Sequence, residues 1–570
     1  MMGRSAGPHR PYNLEVPGGN YSSLKLFPTN MSYTIQSRMS HWMGVTHRSL
    51  KASASAAHEA YRAANYDRAL ELIEALLRRD VDVEQLVLLR ARTRLKRNAA
   101  DALTELLASA AKLHSRDARG IGELLQGVAF VRLEDQRSAA ARFKAAAALL
   151  PKTGPLRAEL HYQRAAAAWI ARDLSGAEQS LARIEIENAG DDLRPEIGIL
   201  RGAIAASRGD ISLQAAVLLE VIDMLDRVRA PQIQHVAHVV SQIASLAREL
   251  PSEALRDAAL ARIDAVPWTA DTAEYHFIAL RSMAWRHALD GDEFRAFRRL
   301  KDAAAAAPST GWRVVASCDR ASLADALGER RWAAQELRDA DELAQAVDWR
   351  TLRGEERFAL LSLAELHATA DPTRALAFIA RYRESGKVFS PVLASAADRR
   401  VGAQEAYALG IVQAARGDRS EATRLLLEAW NVYDDIGYVW RATRAALGLF
   451  ELTSDKRWHE RAASRIVCFP RSWLARGQVG PEQYRGPEVE RLTPAQRGVF
   501  DLLVQGRSTT EIAAERSISP FTVRNHVKAV LHAFDVPSRP ALLARVQQAA
   551  ALRRAPVNER SGNLFKRAGD

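Results

Sequence analysis

The stretch TPAQRGVFDLLVQGRSTTEIAAERSISPFTVRNHVKAVLHAF, residues 493–534, holds three helix starts in close succession. Each is marked by a side chain able to satisfy the open amides at a helix N-terminus. Thr493-Pro494-Ala495-Gln496 is a capping box with proline at the first helical position. It predicts a helix to about Gln505, ended by Gly506. Ser508-Thr509-Thr510-Glu511 is a second capping box and opens a short helix to about Arg516. Ser519 caps a third helix, with Pro520 at its first position, that runs to about Phe534.

A short helix, a three-residue break at Ser517-Ile518-Ser519 and a longer helix make a helix-turn-helix unit, whose second helix enters the major groove of DNA. Spacing assigns the interior to Val499, Leu502, Leu503, Ile512, Ala513, Ile518, Val523, Val527, Val530, Leu531 and Phe534. Leu542, Leu543 and Val546 on a fourth helix would close it. Arg524, Asn525 and Lys528 are left facing outward on the third helix. Arg reads guanine bidentately, Asn reads adenine, and Lys reads guanine or holds phosphate.

Leu492-Thr493, Gly506, Glu511-Ile512-Ala513, Ile518-Ser519, Thr522-Val523-Arg524, His526 and Ser538-Arg539 resemble the LuxR-type helix-turn-helix over about 60 residues. The resemblance implies a four-helix DNA-binding domain in which Arg524, Asn525 and Lys528 face base edges. Thr509, Thr510, Ser519 and Thr522 would position the domain on phosphates. The fourth helix, through Arg539, Leu543 and Val546, would form a dimer contact, so that two copies read an inverted repeat. The sequence departs from the family pattern where Ala495-Gln496 replaces the usual Arg-Glu pair and where Ala533 stands in place of a lysine. His526 reads as a partly buried packing residue.

Upstream, from about Ser49 to Arg465, alanine- and leucine-rich amphipathic segments alternate with short polar turns, the pattern of a helical repeat array. In the first clear unit two helices meet at Asn65, with Tyr66, Ala69, Leu70, Ile73 and Leu76 on one face of the second. Similar turns stand at Glu134-Asp135, Arg172-Asp173, Gly209-Asp210, Gly291-Asp292, Gly328-Glu329, Asp371-Pro372 and Gly417-Asp418. Their acidic positions are spaced by 38, 37, 82, 37, 42 and 47 residues, the longest interval being about twice the others. Gly202 and Gly410 sit seven residues before a turn glycine, where a small residue lets paired helices approach. Leu409-Gly410, Gly417-Asp418, Ala422 and Ala429 resemble the tetratricopeptide repeat, although Gln413 replaces its first-helix aromatic. The expected fold is therefore all-α: a tetratricopeptide-like solenoid over 49–465, a linker over 466–487 rich in Pro and Gly, and the helix-turn-helix domain over 488–552. Residues 1–48 read as a disordered leader or a misassigned start, and 553–570 as a disordered tail.

The 570 residues carry a net charge of +12, which suits an acidic partner such as double-stranded DNA. Between Glu488 and Arg554, ten Lys/Arg face six Asp/Glu. The two cysteines, Cys318 and Cys468, lie 150 residues apart, so neither a disulfide scaffold nor a cysteine zinc site is expected. No apolar run is long enough to cross a bilayer, and the cytoplasm is the expected compartment. Ser385-Gly386-Lys387-Val388 lacks the upstream glycine and the hydroxyl of a phosphate loop and reads as a turn between helices. No nucleophile elbow, His-Glu-x-x-His helix or cysteine cluster is present, so neither catalysis, a metal nor a cofactor is expected.

Two readings of function follow. In the first, the chain is a bacterial transcriptional regulator whose repeats, offering a concave surface, take a protein or peptide ligand that controls DNA binding. In the second, the repeats are a scaffold, and the C-terminal domain contacts RNA polymerase or another protein. The outward triplet Arg524, Asn525 and Lys528 favours the first.

Overall fold

A computed structural model of the chain describes residues 45–546 except 80–82, 98, 134, 229–230, 328, 353, 390–398, 477–486, 540 and 544. Every regular element among the described residues is helical. Up to Ile466 the helices pair as antiparallel hairpins, such as Arg116–Arg132 with Gln136–Leu149, Ala273–Leu289 with Glu293–Ala306, and Arg399–Ala415 with Arg419–Asp435. The fold is all-α and tetratricopeptide-like.

A single turn design makes these hairpins. The amide of Asp210 donates to the carbonyl of Ala205 at 2.9 Å, closing the first helix, while its carboxylate accepts from the amide of Leu213 at 2.9 Å and opens the second. Asp135, Asp173, Asp292 and Asp418 make the same pair of bonds, and Asn65 does so through its side-chain oxygen. One residue thus serves as the end of a Schellman motif and as an N-cap. The preceding residue must be left-handed: Gly209 and Gly417 have φ of +84°, and Ala64 and Arg172 adopt the same region at +50° and +65°. At Glu329 the backbone bond to Ala324 is kept, at 2.9 Å, without a side-chain cap bond.

The long interval between Asp210 and Asp292 conceals a turn of different chemistry. Ser252, 42 residues after Asp210 and 40 before Asp292, caps the helix Glu253–Ile263. The carbonyls around it are gathered by Arg286, whose guanidinium donates to Ala247 at 3.0 Å, Leu250 at 3.2 Å and Ser252 at 3.3 Å. A hydroxyl replaces the carboxylate here, and a distant arginine replaces the left-handed glycine.

Side-chain burial follows the helical period. Tyr66, Ala69, Ile73 and Leu76 are buried, with Leu70 at the edge, and Ala422 and Ala429 have no exposure. At Gly410 an added Cβ would stand 3.0 Å from the Leu426 side chain, which would have to shift by a few tenths of an ångström to admit it. At Gly202 the nearest atom, on Leu218, would be at 3.7 Å, and a methyl group fits.

Three expectations change. Residues 466–476 are no linker: Phe469, Ser472, Leu474 and Ala475 are buried, the short helix Trp473–Arg476 follows, and Trp473 packs 5.6 Å from Trp285, which itself stacks on Trp440 at 5.6 Å. The apolar residues stand at the start of that stretch, and most of its proline and glycine at the far end. Residues 385–388 are helical, within Pro372–Phe389, rather than a turn, because Gly386 is tolerated inside a helix whose apolar side is already buried. The first helix begins at Val45, inside the segment expected as a leader. The rest of the leader, residues 477–486 of the linker and the C-terminal tail lie outside the described residues.

Candidate nucleic-acid interface

Three helices, Pro494–Val504, Thr509–Glu515 and Pro520–Ala533, begin where their caps predict. Thr493 and Gln496 exchange both bonds of a capping box, at 3.3 and 2.9 Å, and Ser508 and Glu511 do the same at 3.2 and 2.9 Å. Gln496 keeps the reciprocal bond of the family's glutamate without its charge. Bonds to Ser508 are the main reason that the Glu511 carboxyl titrates below its usual range. Ser519 accepts from the amide of Thr522 at 3.0 Å, and the two hydroxyls lie 2.8 Å apart.

The break between the second and third helices repeats the logic of the array. Ser517 is left-handed at φ +52°, and the amide of Ile518 donates to Ala513 at 3.0 Å. That geometry sets the crossing of the two helices and is locked by the core between them. Val499, Leu503, Ile512, Val523, Val530 and Phe534 are buried, and Ile518, Val527 and Leu531 pack half-buried against them. Phe500 is also fully buried, stacked on Phe534 at 5.1 Å between ring centroids, and Val504 is buried beside it. Sequence spacing missed both. Their signal was the pair of adjacent apolar doublets Val499-Phe500 and Leu503-Val504, a stripe two residues wide.

With Val523 and Val530 turned inward, Arg524, Asn525 and Lys528 are exposed on one side of the third helix. Thr510 and Ser519 are exposed at the starts of the second and third helices, and Thr509 and Thr522 are half-buried beside them, as is His526. The surface therefore gathers three long polar side chains with the amide ends of two helices, where the helix dipole favours anions. Phe521, unremarked by spacing because it is out of phase with the apolar stripe, is 66% exposed at the first turn of the same helix.

The dimer contact assigned to the fourth helix needs correction. Leu543 and Val546 are buried in the domain's own core, with 1% and 0% exposure, so a partner cannot reach their side chains. Arg539 donates to the carbonyl of Arg507 at 2.5 Å, and burial lowers its pKa. Arg545 ties the same helix to the carbonyl of Phe534 and to Glu488, both at 2.9 Å. Leu543 and Val546 close the fourth helix on the other three, while Arg539 remains half-exposed. On another edge of the domain, Glu511 lies 3.9 Å from Arg330 of the array.

Residues 490–546 match the family model of bacterial regulatory proteins of the luxR family. This part of the chain is a luxR-family helix-turn-helix domain. A 48-residue segment is 48% identical to the spore germination protein GerE of Bacillus subtilis (strain 168), an alignment covering 8% of this chain and 65% of that protein. Among solved structures, a Rap protein complexed with competence and sporulation factor is similar at 11% identity. It covers 73% of this chain and 99% of its own, with a TM-score of 0.32. The Cut9–Hcn1 hetero-tetramer of the APC/C is similar at 12% identity, covering 89% and 96%, with a TM-score of 0.26. The repeat fold rests on the hairpin geometry described above.

Among the described residues no group of three His, Cys, Asp or Glu is placed to hold a metal ion, and no helix is long and apolar enough to cross a membrane.

Proposed function

We propose that the protein is a transcriptional regulator in which the helix Pro520–Ala533 reads DNA in the major groove and the helical repeats receive a protein or peptide ligand that controls that binding. The observation carrying the DNA half is the exposed triplet Arg524, Asn525 and Lys528 on a luxR-family recognition helix whose opposite side is locked into the core. Arg524 and Asn525 have the donor and acceptor patterns to read guanine and adenine edges, and Lys528 reads guanine or grips phosphate. Thr509, Thr510, Ser519 and Thr522 position the domain on the backbone, helped by the amide ends of their helices.

Two copies bind together on an inverted repeat, with the two-fold contact made by a surface other than Leu543 and Val546. Control by the repeats is supported by the proximity of Arg330 to Glu511, which puts the array beside the N-terminus of a phosphate-positioning helix. The protein acts in the cytoplasm, by binding and without catalysing a reaction.

Selection of bound sequences from a random double-stranded library, using residues 488–552, tests the DNA half. Enrichment of a palindromic motif is the expected result; no enrichment at moderate salt would overturn it. Affinity should fall steeply with salt as counterions are released. Flat salt dependence would instead favour a protein-contacting role, for which exposed Phe521 provides an apolar anchor.

A further inference from the structure

A cavity of about 190 Å³ opens inside the array between residues 248 and 441, and five guanidinium groups line it: Arg248, Arg281, Arg357, Arg400 and Arg441. Carboxylates hold several of them. Glu249, 2% exposed, accepts from Arg248 at 2.8 Å, from Arg441 at 3.0 Å and from the indole of Trp440 at 2.7 Å. Asp319 is bidentate with Arg281, one of the two bonds being 3.1 Å, and Glu355 also lines the cavity.

One of these arginines makes no bond to a carboxylate among the described residues. Arg357 is 5% exposed and donates only to neutral acceptors, the hydroxyl of Ser385 and the carbonyl of Tyr382, each at 3.0 Å. Its guanidinium lies 4.8 Å above the Tyr382 ring. Glu405, whose charge also reaches Arg357, is held by Arg383 at 2.6 Å. Burial pulls the Arg357 pKa down, yet a guanidinium does not release its proton in a protein, so the charge persists in a poorly solvated place. An oxyanion entering the cavity would meet pre-placed planar donors suited to bidentate bonding, and would give the Arg357 guanidinium the negative partner that it lacks among the described residues.

We infer that this cavity is an anion-binding site of the repeat array, taking a ligand that presents one carboxylate or phosphate group beside the ring of Tyr382. Size limits the ligand. A cavity of roughly 150 Å³ holds a benzene-sized body, so this one admits a single phosphoryl group or small dicarboxylate, or one acidic side chain of a larger molecule, and excludes a whole nucleotide. The walls come from helices between Ile233–Glu249 and Val439–Thr453, so a bound anion would tie successive hairpins together. The inference deepens the proposed control through the repeats and rests on that reading only for its consequence at DNA.

The test uses the full chain, with inorganic phosphate and succinate titrated separately at constant ionic strength against sodium chloride. Thermal unfolding and calorimetry are the readouts. Saturable stabilisation by either anion is expected, and which one acts identifies the phosphoryl or the carboxylate source. Arg357→Gln should weaken that affinity by about tenfold or more. Arg400→Gln, at a half-exposed position and less disruptive to folding, should weaken it in the same direction. Arg295→Gln, an exposed arginine elsewhere, should leave it unchanged. Absence of stabilisation by both anions would overturn the inference. So would stabilisation that survives both substitutions, since it would place the anion on the DNA-binding helices or another surface. DNA binding measured on the same samples keeps the two proposals apart, because loss of sequence-specific DNA binding leaves the anion titration readable.

Discussion

Arg524, Asn525 and Lys528 show how much one turn of helix can decide. Their roles differ in chemistry, so their replacement should differ in kind. Arg524→Ala is expected to lower affinity for the selected sequence by about 1–3 kcal/mol and to relax the preference at one base pair. A lysine that touches only phosphate would, when removed, weaken all sequences evenly and flatten the salt slope. Competition binding against scrambled DNA separates the two. Elsewhere single residues set the response to acid. Burial drives the pKa of His287, 8% exposed, down to about 4 from 6.5. A depressed histidine pKa means that the folded state resists protonation. The stability is therefore fully present above about pH 6.5 and is lost as pH falls toward 4. Between pH 7 and 5 that loss is on the order of 2 kcal/mol. A thermal scan of His287→Gln should show a shallower fall over that interval than the parent chain. Equal slopes would mean that other groups carry the acid response.

At the scale of the element, the acidic turn residues were legible because one side chain performs two hydrogen-bonding tasks that few residue types can do. Ser252 was not legible, since its turn depends on Arg286, a residue 34 positions away. Loss of the cap in Asp418→Ala should cost about 0.5–2 kcal/mol in urea unfolding. Two glycines that look equivalent in sequence should respond differently. Gly202→Ala meets Leu218 only at ordinary contact distance, 3.7 Å, and gains about 0.5–1 kcal/mol of helix propensity. Gly410→Ala presses on Leu426 at 3.0 Å and should be destabilising or neutral. A matching gain at both positions would show that Leu426 yields freely.

Over the whole molecule, the helix-turn-helix core around Phe500 and Phe534 is a separate apolar cluster from those of the repeats. Separate cores predict separate unfolding. Calorimetry should resolve two transitions, with Phe500→Ala lowering one and Phe469→Ala the other. Each substitution should cost about 3–5 kcal/mol in its own transition. A single transition moved by both variants would mean that the contact around Arg330 and Glu511 couples the two parts. Phe469 also marks where the array ends. Fragments that stop at Arg465 omit the residues that cover Trp440 and should unfold at lower temperature than those that continue to Arg476.

The sequence alone determined the helical class, the three caps of the C-terminal domain, the side of its third helix that faces outward and most of the hairpin turns. All of these depend on hydrogen bonds and periodicities spanning at most one or two helical turns. Tertiary structure decided the rest. It buried Leu543 and Val546 that a dimer contact would have needed, drew residues 466–476 into the array, and supplied the concealed turn at Ser252. It also brought Arg248, Arg281, Arg357, Arg400 and Arg441 around one cavity, although nearly 200 residues separate the first from the last. Periodicity tells which side of a helix is buried, but not what will be packed against it. The balance of charge in a cavity depends on that second fact.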